Sequence, residues 1–167
     1  KGNSLFRWIK FRDLLEQTNS RKIIGFDAFG DFPEAGYSLD KPKRDAFVAE
    51  TKGGQSISYE EMCNLLEDQG LHRNVELIKG DILQTLDDYL HSNPHLKISL
   101  LHIDVDLYEP TKFILERLYD KVTKGGIIIL DDYGAFAGAN KAVDDFFQDS
   151  VTIKKLPYAH AISYIVK

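Results

Sequence analysis

Short β-rich runs alternate with helical patterns along most of this chain, and the last two runs break that alternation. The runs are Lys22–Asp27, Val75–Lys79, Ile98–Asp104, Ile127–Asp131, Val151–Leu156 and His160–Val166. The middle ones are almost continuously apolar, as strands covered on both faces are. Strand and helix in alternation predict parallel βαβ units, hence an α/β doubly wound sheet. The final two runs are separated only by Pro157-Tyr158-Ala159. A parallel crossover needs about a dozen residues, so this pair must be an antiparallel hairpin. The expected architecture is a mostly parallel sheet closed by one antiparallel hairpin.

Between the runs lie the helices. Residues Ser4 to Gln17 place Leu5, Trp8, Ile9 and Leu15 near helical spacing. Ser58-Tyr59-Glu60-Glu61 is a capping box. Its helix carries Met62, Leu65 and Leu66 on one face and stops at Gly70. Ile82 to His91 follows the second strand. Pro110 suits a first helical turn, in a helix expected to run through Val122 and to end at Gly125-Gly126. Ala142, Val143, Phe146 and Phe147 mark the last helix. Gly30 to Gln55, rich in Gly, Pro and charge, reads as one long loop, either a functional lid or a disordered segment.

Open α/β sheets bind ligands at the carboxyl ends of their strands. There the chain places Asp27, then Gly80-Asp81, then Asp104-Val105-Asp106, then Asp131-Asp132. A single Asp in such a place is an ordinary helix cap or turn former. Carboxylates at every parallel strand end repel one another unless a cation or a hydroxyl-rich ligand answers them. Asp27 can accept both hydroxyls of a nucleoside ribose or can cap the turn at Phe29-Gly30. Asp81 can accept from an adenine amino group or can cap the helix at Ile82. Asp104, Asp106, Asp131 and Asp132 belong to neighbouring strands and suit a hard cation, Mg²⁺ or Ca²⁺, bound through oxygen. The histidines have no metal-ligand spacing. His102 reads as a core histidine, and His160 is a weaker candidate to face the pocket. Neither Gly-x-Ser-x-Gly nor a phosphate-loop motif is present.

Composition narrows the partners. A hydrophobic content of 43%, with 11% aromatic, excludes a disordered chain. A net charge of -5 argues against a nucleic-acid partner, which needs a basic surface. No apolar run approaches the ~20 residues of a membrane helix, so no membrane partner is expected. Cys63 is the only cysteine, which excludes an internal disulfide and fits a reducing, cytoplasmic location.

Leu100-Leu101-His102-Ile103-Asp104-Val105-Asp106-Leu107-Tyr108-Glu109-Pro110-Thr111 resembles the fourth-strand motif of the macrocin O-methyltransferase family. The resemblance continues through Gly125-Gly126-Ile127-Ile128-Ile129-Leu130-Asp131-Asp132-Tyr133-Gly134 and Lys141-Ala142-Val143-Asp144-Asp145-Phe146. Gly25-Phe26-Asp27-Ala28-Phe29-Gly30-Asp31-Phe32-Pro33 is similar to its second-strand segment. The resemblance implies a class I methyltransferase fold: a Rossmann-like three-layer α/β sandwich with an antiparallel last strand, as one catalytic domain over 1–167. It implies an S-adenosylmethionine-dependent O-methyltransferase acting on a sugar or glycosylated small molecule. Asp27 would hold the cofactor ribose, Asp81 would lie beside the adenine, and Asp106 would be the catalytic base. A Mg²⁺ would be held by Asp106, Asp131 and Asp132, with Asp104 close by at the cofactor. The family's first strand and acidic-Gly-x-x-x-Gly loop would precede this chain, and only Lys1-Gly2 remains of them, Gly2 being a cofactor-binding candidate. The chain is therefore expected to be an N-terminally truncated excerpt, its strands Lys22–Asp27 and Ile98–Asp104 flanking a missing central strand unless they pair directly. A homo-oligomer is possible. The rival readings are an Asp-x-Asp nucleotide-sugar glycosyltransferase, an Asp-x-Asp phosphatase and a non-catalytic nucleotide-binding module.

Overall fold

The structure, a computed structural model, describes residues 2–50, 57–155 and 162–167. The chain forms two compact units, one from Lys1–Phe32 with Val48–Leu86, the other from Pro33–Phe47 with Asp87–Lys167.

In the first unit, helix α1 (Asn3–Leu15) is followed by strand β1 (Ile23–Asp27). Helix α3 (Tyr59–Asp68) then leads to strand β2 (Val75–Lys79), and β1 and β2 pair in parallel, Ile23 opposite Val75 and Asp27 opposite Lys79. Ile9, Phe29, Met62 and Leu66 form the core, with Leu5, Ile23, Val75 and Leu77 packed around them. Burial of such side chains stabilises by roughly 1.5–3 kcal/mol each. The capping box is present: Ser58 Oγ accepts the Glu61 N–H at 3.2 Å, and Glu61 accepts the Ser58 N–H at 3.0 Å. At the other end the Leu71 N–H reaches Leu66 O and the Gly70 N–H reaches Glu67 O, a Schellman closure. Leu65 departs from expectation. It is 39% exposed, because only Met62 and Leu66 fall on the inward stripe of this helix.

The buried ion of this unit is Arg12, 7% exposed. Its guanidinium donates to Arg21 O and Asn74 O at 3.1 Å each and to Arg73 O at 3.0 Å, and its Nε meets Asp13 at 2.9 Å. A planar fork of donors suits carbonyls converging from different segments, so Arg12 ties α1 to the chain entering β1 and β2.

The second unit holds helix α2 (Lys41–Glu50) at its start, although the last residues of α2 fall in the first unit. Helix α4 (Ile82–Ser92) likewise bridges the division and leads to strand β3 (Ile98–Ile103), helix α5 (Tyr108–Leu118) and strand β4 (Val122–Leu130). Helix α6 (Ala137–Phe147) and strands β5 (Lys154–Lys155) and β6 (Ser163–Val166) complete it. The sheet order is β3-β4-β6-β5, with β3 and β4 parallel and β6 antiparallel to both of its neighbours. The expected terminal hairpin pairing is thus present, Lys154 opposite Tyr164 and Lys155 opposite Ser163. Its first strand is only two residues long. Residues 156–161, including His160, lie outside the described residues. Ile128, Leu115, Leu107, Val143 and Ile165 are the largest fully buried apolar side chains here.

Three expectations are corrected. Helix α5 stops at Leu118, a short 3₁₀ turn spans Tyr119–Lys121, and Val122 already belongs to β4. Gly125-Gly126 does not end a helix. It lies within β4, where the register against β3 shifts between Ile98/Val122 and Leu100/Ile127. Nor is Gly30–Gln55 a single loop, because it contains α2, and Asp40 just before that helix is only 1% exposed. Strands β1 and β3 belong to separate sheets, with no ladder between them among the described residues.

Candidate functional site

In the first unit each strand-end carboxylate is occupied locally. Asp27 is exposed at the end of β1, and its Oδ1 accepts the Phe29 N–H at 2.6 Å. Asp81 follows β2, and its Oδ1 accepts the Leu83 N–H at 2.9 Å as α4 begins. The turn-forming roles weighed from the sequence are therefore both present, each through one carboxylate oxygen. Gly2 opens α1 with φ 76°, and a Cβ there would stand 2.3 Å from the Met62 methyl. The left-handed backbone favours glycine at that point, and the Met62 methyl, the end of a flexible side chain, is the atom a Cβ would displace.

The second unit gathers its carboxylates. The Asp131 N–H bonds Ile103 O at 3.0 Å, extending the β3–β4 ladder by one rung and placing Asp131 beside the end of β3. His102, Asp104 and Asp131 each offer a ligand atom within 4.8 Å of the others. His102 Nε2 lies 3.2 Å from Asp131 Oδ1. His102 is largely buried, as a core histidine is, and its ring also faces Asp131. Its spacing of two from Asp104 puts both side chains on one face of a strand, and that was the sequence signal.

Asp132 and Asp106 form a second pair. Asp132 Oδ2 accepts the N–H groups of Val105 at 3.2 Å and Asp106 at 2.9 Å. Asp106 is held at φ 61°, a left-handed conformation rare outside glycine. Burial pushes the Asp106 carboxyl up to about 8, assisted by the Asp132 charge and hydrogen bond and by Asp104, while Lys43 acts in the opposite direction. Burial also raises Asp132, against the bonds it receives from Asp106. Asp104 is pushed up first by the protein around it and then by Asp131 and Asp132, with His102 opposing. Its side chain is nevertheless exposed, so water screens much of that interaction. Lys43 stands over the Phe136 ring at 4.0 Å and donates to Ala135 O.

A further carboxylate, not singled out in the sequence, braces this region. Asp40 Oδ2 accepts the Tyr108 N–H at 3.1 Å, and Oδ1 accepts the Gly138 N–H at 2.7 Å. Asp40-Lys41-Pro42, an Asp ahead of a Pro-containing first turn, was the signal for a helix start. Nothing local in the sequence says that its side chain serves two other helices.

These carboxylates can do two things. They can hold a hard cation through oxygen, and a raised carboxyl such as Asp106 can accept a proton near neutral pH.

The family model for Macrocin-O-methyltransferase (TylF) matches residues 9–157. The chain belongs to the macrocin-O-methyltransferase family. A match over this span displaces the glycosyltransferase and phosphatase readings. This macrocin O-methyltransferase family chain is 29% identical over 146 residues to the 8-demethyl-8-(2,3-dimethoxy-alpha-L-rhamnosyl)-tetracenomycin-C 4'-O-methyltransferase of Streptomyces olivaceus, a match covering 87% of the chain and 53% of that relative. It is 31% identical over 126 residues to the demethyldecarbamoylnovobiocin O-methyltransferase of Streptomyces niveus, covering 72% of the chain and 44% of the relative. The chain thus spans about half the length of these two relatives. Among solved structures it superposes on the O-methyltransferase NovP with a TM-score of 0.76 and 26% identity, covering 95% of this chain and 66% of that one. The fold is that of the class I methyltransferases.

Proposed function

We propose that the protein transfers a methyl group from S-adenosylmethionine to a hydroxyl of a sugar carried by a small molecule. The observation that carries this reading is the gathering of Asp104, Asp106, Asp131 and Asp132 at adjacent strand ends in a chain of this family. The two curated relatives bear the names of O-methyltransferases acting on a rhamnosylated tetracenomycin and on a novobiocin precursor, which supports a glycosylated acceptor.

Asp27 keeps one carboxylate oxygen beyond its bond to Phe29, and we assign that oxygen to the cofactor ribose. Asp81 and Gly2 are assigned to the same cofactor, with Asp104. When bound, S-adenosylmethionine supplies an electrophilic methyl that the acceptor oxygen must approach in line.

The acidic cluster also fits a divalent cation. Burial and then mutual repulsion raise Asp104, Asp106 and Asp132 together, against His102 and Lys43, and a cation bound among them would relieve that repulsion. Asp106, Asp131 and Asp132 are the proposed Mg²⁺ ligands with Asp104 beside them, and of these only Asp131 and Asp104 belong, with His102, to the ligand atoms that converge here. When bound, such a cation lowers the pKa of a hydroxyl oxygen that touches it.

Asp106 is the proposed base. Its carboxylate oxygen would take the acceptor hydroxyl proton. The Asp132 bond to the Asp106 N–H keeps the base in its unusual left-handed pose.

The test uses the full-length protein with methyl-labelled S-adenosylmethionine and a panel of rhamnosyl glycosides, with and without chelator. Label transferred to a sugar hydroxyl supports the reading, and loss of transfer in chelator supports the cation. Full activity in excess chelator would remove the cation and leave base catalysis alone. Binding of S-adenosylhomocysteine without transfer to any acceptor would favour a non-catalytic module.

A further inference from the structure

The turn Asp104–Tyr108 has an unusual way of satisfying its backbone. The amides of Val105 and Asp106 are accepted by Asp132. The Leu107 N–H turns back to Val105 O at 2.6 Å. The next amide, that of Tyr108, is the first of helix α5, and no residue of its own helix can accept it. It is accepted by Asp40, whose other oxygen takes the Gly138 N–H in the first turn of α6.

Asp40 is 1% exposed, and no cationic side chain pairs with it among the described residues. Its negative charge is answered by two helix N-termini, where free N–H groups and aligned peptide dipoles favour an anion. Both helices matter for the cluster. Helix α5 begins directly after Asp104-Val105-Asp106, and α6 begins shortly after Asp131-Asp132. The fit is close: a Cβ on Gly138 would stand 1.8 Å from Asp40 Oδ2, so glycine there is the space that the carboxylate occupies. Asp106 sits in a strained conformation between two carboxylate clamps, Asp132 on its own amide and Asp40 two residues on.

We propose that Asp40 is a positioning residue for Asp106: by fixing the first amides of α5 and α6 it sets the turn from which Asp106 projects. Asp40 bonds the Tyr108 and Gly138 amides and not the Asp106 carboxylate, so it acts through backbone. The segment around α2 is thereby made part of the working site. Asparagine at this position has nearly the same shape but turns one acceptor into an NH₂ group facing an N–H donor.

The proposal rests on the methyltransferase reading for its kinetic arm only. In the full-length protein, the Tyr108 and Gly138 amides should exchange slowly with D₂O. In Asp40→Asn one or both should exchange at least ~10-fold faster, as a lost hydrogen bond requires, while the Ile128 amide in β4 stays protected. The same variant should lose ~10–100-fold in kcat, because small misplacements of a reacting group are costly, with KM for S-adenosylmethionine changed less than about twofold. Asp40→Ser, which keeps an acceptor, should fall between wild type and Asp40→Asn in both readouts. Fast exchange of both amides in the wild type, or unchanged exchange in folded Asp40→Asn, overturns the proposal whatever the activity. Lost exchange protection with unchanged kcat also overturns it. If the wild type shows no methyl transfer, the functional reading fails, and the exchange data alone still decide whether Asp40 holds the turn.

Discussion

The carboxylates that end β1 and β2 differ from those that end β3 and β4, although all stand at the same kind of place in an α/β sheet. Asp27 and Asp81 are separate, and each is answered by an amide two residues along its own chain. Asp104, Asp106, Asp131 and Asp132 come from two neighbouring strands and approach in two pairs, Asp104 with Asp131 beside His102, and Asp132 on the Asp106 amide. The first arrangement costs little and leaves a free acceptor edge, which suits hydrogen bonding to hydroxyl or amino groups. The second concentrates negative charge in a partly buried place, which is unfavourable until a cation or a proton relieves it. The two units also differ in the sign of their buried ions among the described residues, Arg12 in the first and Asp40 and Asp132 in the second. The first is pinned by a cation, Arg12, on three carbonyls; the second by an anion, Asp40, on two helix amides. A bare carboxylate at a strand end therefore says little until its neighbours are known.

The sharpest way to break this comparison is to neutralise one member of each set. Asp106→Asn should lower the rate of methyl transfer ~10²–10⁴-fold, the usual worth of a positioned general base, and the loss should lie in kcat. Asp132→Asn should weaken divalent-cation binding, read by calorimetry, with the fold retained. An Asp106→Asn enzyme within about tenfold of wild type would show that the crowd serves a purpose other than proton removal.

Next in size is the cationic pin. Arg12→Met keeps much of the apolar stem but strands three carbonyl oxygens, and should destabilise the protein by about 3 kcal/mol in urea unfolding. A loss below about 0.5 kcal/mol would mean that water replaces the guanidinium freely.

Asp27→Ala should weaken S-adenosylhomocysteine binding by about 1.5–3 kcal/mol, the range for hydrogen bonds to a charged group. If kcat at saturating cofactor stays within about twofold while affinity falls, the two sets of carboxylates divide binding from chemistry as proposed. Unchanged affinity by calorimetry would remove Asp27 from the cofactor site.

The fold was legible where local pattern and global structure agree. Val75–Lys79 was read to the residue, and the short gap before β6 forced an antiparallel pairing. The capping box was legible because both of its partners are four residues apart at most. Misreadings came where tertiary pairing overrode local preference. Gly125-Gly126 looks like a helix stop, but β4 takes it in through a shifted register. The two Gly residues and two Pro residues between 30 and 50 masked α2. Within the site, the four clustered carboxylates could be named from strand ends alone. His102 was read as a core histidine and its side chain is largely buried; what one apolar run does not show is that its ring meets Asp131. Asp40 was missed because its partners, Tyr108 and Gly138, are 68 and 98 residues away.

The smallest expected effect tests whether the first unit depends on purely local bonds. Ser58 and Glu61 close the start of α3 reciprocally, and the Glu61 carboxyl is held below its ordinary value by the Ser58 N–H and then by the Ser58 hydroxyl. Ser58→Ala should cost about 1 kcal/mol near neutral pH. The pH dependence has a fixed sign. A carboxyl whose folded pKa lies below its unfolded value, about 4.3 for glutamate, contributes stability that is complete above that unfolded value. The contribution disappears as pH falls through the folded pKa. Wild type should therefore lose this part of its stability below about pH 4, whereas Glu61→Gln, with nothing to protonate, should be less stable near neutral pH and should lack that acid limb. Urea midpoints measured from pH 7 down to pH 3 separate the two. Parallel curves for wild type and Glu61→Gln would show that the ionised carboxylate adds nothing to the cap. The start of α3 would then rest on the Ser58 oxygen alone.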